Sequence, residues 1–500
     1  MTVCGMINDI YEKINYKKIV KKHFLFFIFC FIFFFTSCAT KFTYYNNLKE
    51  LVKYENYNKA ISLIDENKLK EYREKNLLLY LLDDGIIKHY AGNYQESIRS
   101  FAKAEKLAEE LYTKSISEEV KSFLISDNEK SYYGEDFERV YINIFQALNY
   151  LLLGDYENAL VEARKVDHKL KTLKVNYGNK NVFKEDAFMR YLAGLIYENE
   201  REYNDAYISF RKSIDEYSRN NLIYTFALPT DLLHRTVKIT KQIGFKEEFE
   251  EINKSYKLNF SWDKIKYDTD EGEVVIIHYN GFAPYKIDHF IEVSFGEGWA
   301  YVGSVEVGSD AESDVRKAGQ IARSIASDEQ FVVAFPKFVG VPTNISYATV
   351  DFYKISNSNE EFVGSTDTFI VEDVETIAIK SLEDRIAAVR IKAIARAAIK
   401  FALSRAISKE IEQKTQDEFT RWLAKKAVQV TATATEKSDK RSWQLLPKNI
   451  YFATKKLPPG TYKLEIKFFT SDGKEVVSKT VPNVVVQKNK KVFIPIRTAY

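Results

Sequence analysis

The first 228 residues contain no proline; all nine lie at Pro229 or beyond. Proline breaks helix interiors and punctuates turns, so a first half without it excludes a turn-rich β fold there and permits uninterrupted helices. Cysteine is almost missing. Cys4, Cys30 and Cys38 are the whole complement, which excludes a disulfide framework over the remaining 462 residues and leaves a large apolar core to hold them. Glycine and proline together number 28 of 500, too few for long flexible linkers. Charge of one sign is also lacking. The formal net charge is +3, and residues 1–37 carry five lysines against Asp9 and Glu12. The rest of the chain is therefore neutral, which argues against nucleic acid as a partner. The six histidines show no His-x-x-x-His spacing and no cysteine partner, so no metal is expected. Nucleophile elbows and phosphate-binding glycine loops are missing too. No enzyme activity and no cofactor are expected.

What is present begins with an address. Lys17, Lys18, Lys21 and Lys22 precede an apolar run from Phe24 to Phe35, then Thr36-Ser37-Cys38. A basic segment, a short apolar segment and small residues describe a secretory signal, and the run is short of a bilayer's ~30 Å hydrocarbon core. The end of this segment resembles a bacterial lipobox, with Phe35 where leucine is usual. That resemblance implies cleavage before Cys38 and a diacylglyceryl thioether on it. An uncut anchor and a plain secretory signal are the alternatives. Ala39 after the cysteine resembles sorting to the outer membrane, so the expected location is the cell outer membrane, lipid-anchored and facing the periplasm.

The proline-free half repeats. Asn56–Ala60, Gly92–Ser97, Gly154–Ala159 and Glu202–Ala206 each place an aromatic three residues before a small residue. Gly85, Ala147 and Gly194 stand twelve residues before the small residue in three of them. This resembles the tetratricopeptide repeat, paired helices of about 34 residues whose small positions allow close approach. An insertion is expected at about Leu111–Gly134, and one further helix, about Thr230–Asn253, to cap the array. The first helix of each such unit lines the concave surface, which places His89, Tyr141, Tyr191 and Glu198 there. They are candidates for a partner-binding groove, or they pack against the chain itself.

Beyond Glu273 the apolar period becomes two, over ten segments rich in Val, Ile, Tyr and Phe, with Asp472-Gly473 suited to a hairpin. The fold class expected is α+β: an all-α tetratricopeptide-like solenoid, then a β-sandwich-like domain with a helical insertion. The expected divisions are a signal peptide at 1–37, helical repeats at 38–258 and the β-rich domain at 270–500, its insertion at about 375–428. From Leu382 to Lys409, Ala387, Ile391, Ile394, Ala398 and Phe401 share one helical face, with Arg385, Lys392, Arg396 and Lys400 opposite. Such a helix packs on a neighbour with its cations in water, meets a partner, or lies on a membrane. In His278-Tyr279-Asn280-Gly281 a strand ends in a turn, and an exposed histidine is expected. Glu135 and Glu138 are expected at a helix start, where acidic side chains suit the dipole.

Two segments carry a further resemblance. Tyr133-Gly134-Glu135-Asp136-Phe137-Glu138-Arg139, with the residues onward to Arg164, and Asp439-Lys440-Arg441-Ser442-Trp443-Gln444-Leu445-Leu446-Pro447 resemble two signatures of a group of tetratricopeptide lipoproteins in didermic bacteria. Leu457-Pro458-Pro459-Gly460 belongs with the second. The resemblance implies a cell-envelope protein, thought of beside lipoproteins that activate penicillin-binding proteins. The function expected is a lipid-anchored, periplasm-facing scaffold that binds a protein or peptide partner in the cell envelope through its helical groove. The alternative is a module gripping peptidoglycan or another glycan through the β-rich domain.

Overall fold

In the computed structural model, Tyr94, Tyr156 and Tyr203 each open the second helix of a pair, as the repeated motif requires. The structure describes residues 39–118, 127–176, 186–220, 223–265, 270–296, 299–302, 330–356, 359–390, 392–394 and 437–500. The expected signal segment, Cys38 and most of the expected helical insertion lie outside them.

The chain divides into two compact units, residues 1–63 and 64–500. The described part of the first holds α1 (Ala39–Lys53) and the start of α2 (Tyr57–Glu66). In the second unit, α3 (Leu77–Tyr90) packs on α4 (Tyr94–Glu118), α5 (Asp136–Leu152) on α6 (Tyr156–Asn176), and α7 (Ala187–Asn199) on α8 (Tyr203–Arg219). The single helix expected from Thr230 is two, α9 (Thr230–Ile243) and α10 (Lys246–Ser255). Gly244 separates them at φ 81°, and the Phe245 amide bonds back to the Thr240 carbonyl at 2.8 Å. A left-handed glycine with that back-bond is how helices stop.

The small positions work as the repeat demands. A Cβ on Gly85 would lie 2.6 Å from the Phe101 ring, and one on Gly194 would lie 2.3 Å from the Phe210 ring. Both phenylalanines stand sixteen residues after their glycine. Where the first position is Ala147 instead, the residue sixteen on is Ala163, so volume is traded across each helix pair. Gly194→Leu is expected to cost about 1–3 kcal/mol by overpacking. Urea denaturation would read this, and Phe210→Ala in the same chain is expected to recover part of it. Unchanged stability in the single variant would count against this repeat register.

Three sheets follow among the described residues. The first has the order β11 (Lys491–Thr498), β1 (Gly272–Asn280), β8 (Asn449–Leu457), β7 (Phe369–Asp373). The second runs β10 (Glu475–Val486), β9 (Gly460–Phe469), β5 (Tyr347–Ser356), β6 (Asn359–Asp367). The third is β3 (Trp299–Val302), β2 (Tyr285–Gly296), β4 (Gln330–Val339). β1 pairs parallel with β11, and the other pairs are antiparallel. The helix α11 (Val374–Glu383) is inserted between β7 and β8. β6 and β7 follow each other closely in the chain but lie in different sheets. Pro458 and Pro459 make the corner where the chain leaves the first sheet for the second.

The first two sheets form a sandwich. Val274, Ile276, Ala453 and Ile494 of the first share a core with Val350, Phe352, Leu464 and Ile466 of the second. Every residue of β1 is buried, because its other face, Val275, Ile277 and Tyr279, lies under the helices. Helices, first sheet and second sheet are thus stacked, which is why β1 reads Val-Val-Ile-Ile rather than as an alternating strand. His278 is on the sandwich side of β1, fully buried with its Nε2 2.7 Å from Thr498 Oγ1, and not exposed at a turn. Burial holds its imidazole down to about 3.

Candidate functional site

The four residues of the expected groove come to one surface, and that surface faces the first sheet of the same chain. His89, on α3, is buried; its Nδ1 lies 2.7 Å from Asn149 Oδ1, and its ring centroid 5.2 Å from that of Tyr279 in β1. Burial lowers its imidazole to about 4. Tyr141, on α5, donates to Glu372 Oε1 in β7 at 2.7 Å. Burial and the neighbouring Asp186 hold that glutamate well above the carboxylate range, and the Tyr141 bond opposes them. Tyr191, on α7, donates to Asp231, and its ring lies 5.5 Å from Phe452 of β8. The side chain of Glu198, 7% exposed, accepts from Arg235 Nη1 at 2.8 Å and pairs with Lys491 Nζ of β11 at 2.8 Å. The apolar outer face of β1 must be covered, and the array is what covers it.

Arg235, on α9, gathers this junction. Its guanidinium pairs with Asp231 at 2.5 Å, with Glu198 and with Glu273 of β1, and Lys491 pairs with Glu273 too. Sequence reading missed Arg235, Glu273 and Lys491. Each is an ordinary charged residue of a helix or strand, and only the docking of sheet on helices encloses them.

A solvent-open cleft lies elsewhere, where the two signature segments meet. Glu138, third residue of α5, accepts from the Glu135 amide at 3.0 Å, the Tyr132 hydroxyl at 2.5 Å and, at 2.6 Å, the backbone amide of Trp443. Burial raises its carboxyl, against the pull of Lys286 and these donors. Arg441 Nη1 donates to the Lys130 carbonyl at 2.9 Å and to Asn76 Oδ1 at 3.0 Å. Asn128 Nδ2 donates to the carbonyls of Lys437 and Ser438 at 3.0 and 2.8 Å. Residues some 300 positions apart in the chain are thus clamped together. Glu135 and Glu138 are at the start of α5, as the charge pattern suggests, but Glu135 also takes ion pairs from Lys286 and Arg385.

Lys286 and Arg385 escape sequence reading for opposite reasons. In β2 the lysine points inward, its side chain 2% exposed, while Ile287 is exposed. The alternation is there with its polarity reversed. Arg385 stands on the cationic helix face expected to meet water, a partner or a membrane. Instead it is turned onto Glu135 and Asp136, whose carboxylates crowd the start of α5. Ala393 and Ile394 are buried; Arg396, Ala398, Lys400 and Phe401 lie outside the described residues.

The cleft holds about 130 Å³. Its apolar wall includes Phe335, Pro336, Leu382 and Val389. Among the described residues no group of His, Cys, Asp and Glu has the arrangement of a metal site, and no helix is long and apolar enough to cross a membrane.

No protein-family model matches the chain, and no curated protein matches it in sequence. Solved structures are similar to less than half of the chain. BtubC from P. vanneervenii is 16% identical, with a TM-score of 0.29, over 44% of this chain and 80% of its own. MamA of AMB-1 is 15% identical with a TM-score of 0.25, over 44% and 94%. A Podosopora anserina protein of nearly identical TPR-like repeats is 10% identical with a TM-score of 0.28, over 43% and 92%.

Proposed function

We propose that this chain is a non-catalytic scaffold of the cell envelope, tethered to the outer membrane by lipid on Cys38, that holds a protein or peptide partner at the cleft between the two signature segments. One observation supports the reading above others. The face where His89, Tyr141, Tyr191 and Glu198 meet is taken up by the chain's own sheet, whereas residues 130–135 with Lys437, Ser438, Asp439 and Arg441, from the two signatures and their flanks, line an open cleft. Tether and location rest on the basic segment, the apolar run and Thr36-Ser37-Cys38. The association with activators of penicillin-binding proteins rests on the resemblance alone.

A second reading, glycan binding by the β-rich part, is favoured by the outer face of the second sheet. Phe362 is 57% exposed there, with its ring 5.6 Å from that of Tyr353, and aromatic faces at a surface suit sugar rings.

The test compares three forms of the protein. Cys38→Ala is expected to leave the membrane fraction and to take up no labelled palmitate; retention of the label would overturn the tether. From detergent-solubilised membranes, the wild type is expected to capture a partner that Lys437→Glu does not. Binding to purified sacculi that is lost in Phe362→Ala and kept in Lys437→Glu would favour the glycan reading instead.

A further inference from the structure

We infer that the cleft recognises the C-terminal carboxylate of its partner chain, with an apolar last side chain against the wall beside it. The inference rests on the scaffold reading above and names the chemistry of its partner.

Charge carries it first. The lining holds six cationic side chains, Lys130, Lys286, Arg385, Lys392, Lys437 and Arg441, against two carboxylates, Glu135 and Asp439. Taking a cation out of water costs free energy that a nearby anion offsets. Arg385 is spent only in part on its own chain. Its Nη2 pairs with Glu135 and its Nη1 lies 3.8 Å from Asp136, but its Nε is buried with no hydrogen-bond partner among the described residues. Burial holds both Arg385 and Lys286 below their ordinary range, the direction that an anion would reverse.

Shape narrows the anion. At about 130 Å³ the cleft is well below the ~300–1,000 Å³ that accepts a whole small-molecule ligand, so it takes one end of something larger. A basic rim alone would suit a phosphate. Here the cations share the cleft with Phe335, Pro336, Leu382 and Val389, a wall that a phosphate does not use and an apolar terminal residue does. The frame is rigid, since the Arg441 and Asn128 bonds and the buried Glu138–Trp443 bond fix both sides.

Titration calorimetry on the detergent-solubilised lipoprotein would use three probes: N-acetyl-Ala-Ala-Leu with a free carboxylate, the same peptide as its C-terminal amide, and inorganic phosphate. The free acid is expected to bind at least tenfold tighter than the amide and than phosphate. Lys437→Glu, at an exposed position, and Lys392→Glu, at a partly exposed one, are expected to weaken the acid at least tenfold with an unchanged melting temperature. Equal binding of acid and amide, or phosphate bound as tightly as the acid, would overturn the inference. So would wild-type affinity in both charge reversals. If acid and amide bind alike while Lys437→Glu still loses its membrane partner, terminal recognition fails and the scaffold stands. If the acid binds selectively but no partner depends on Lys437, the scaffold reading is the one that fails.

Discussion

Arg235→Ala is expected to destabilise the 64–500 unit by about 3–5 kcal/mol, the range for breaking a buried charge network by removing one partner. The guanidinium is the hub between α9, α7 and β1. Without it, Asp231, Glu198 and Glu273 are left with Lys491 as the remaining cation of the network, and Glu273 and Glu198 have side chains only 6% and 7% exposed. The loss should depend on pH. Burial alone would raise the Glu273 carboxyl, but Arg235 and Lys491 outweigh it and hold it well below the ordinary value. A carboxyl depressed in the folded state adds stability that is present above its unfolded value of ~4.3 and is lost as pH falls through the folded one. The variant's deficit is therefore largest at neutral pH and shrinks as the solution is acidified below that range. Arg235→Lys keeps the charge without the planar fork and should fall between the two. Denaturant midpoints measured from pH 7 down to about pH 2 check this; a deficit below ~1 kcal/mol at pH 7 would show that the network is not what joins helices to sheet.

Trp443→Ala is expected to cost a further large amount, about 3–5 kcal/mol. The indole is 1% exposed and lies with its centroid 5.7 Å from Phe101 and 6.1 Å from Phe145, residues of two different helix pairs. Truncation would empty the volume between these rings, and close-packed helices cannot collapse into it. It would also loosen the segment that carries Asp439 and Arg441 into the cleft. The indole nitrogen makes no hydrogen bond among the described residues, so Trp443→Phe surrenders none of these bonds and should cost clearly less than the alanine. Equal losses in the two variants would mean that the site tolerates a void, contrary to the packing described.

The two signature segments lie on either side of the cleft, and Glu135 and Glu138 stand at a helix start as expected. Nothing in one dimension says that Trp443 reaches the third residue of α5, because a backbone amide bonding a buried carboxylate leaves no periodic trace. Lys286 was hidden for a related reason. A strand pattern tells which residues share a face, but not which face is buried, and here a charged cluster claims the inner side. His278 shows the converse. An alternating pattern cannot report a strand covered on both faces, so a histidine at its end read as exposed.

Sequence alone determined the local geometry of this protein. Missing prolines, aromatic–small spacing and paired small and large positions define helix pairs, and the period of two beyond Glu273 defines strands, because both depend on neighbours within a few residues. Tertiary structure alone decided what the helices face. Whether His89, Tyr141, Tyr191 and Glu198 meet a partner or the chain itself depends on where β1 comes to rest, some 75 to 190 residues further along. The apolar outer face of that strand needed a cover, the array offered one, and burying that face released more water than leaving the groove open.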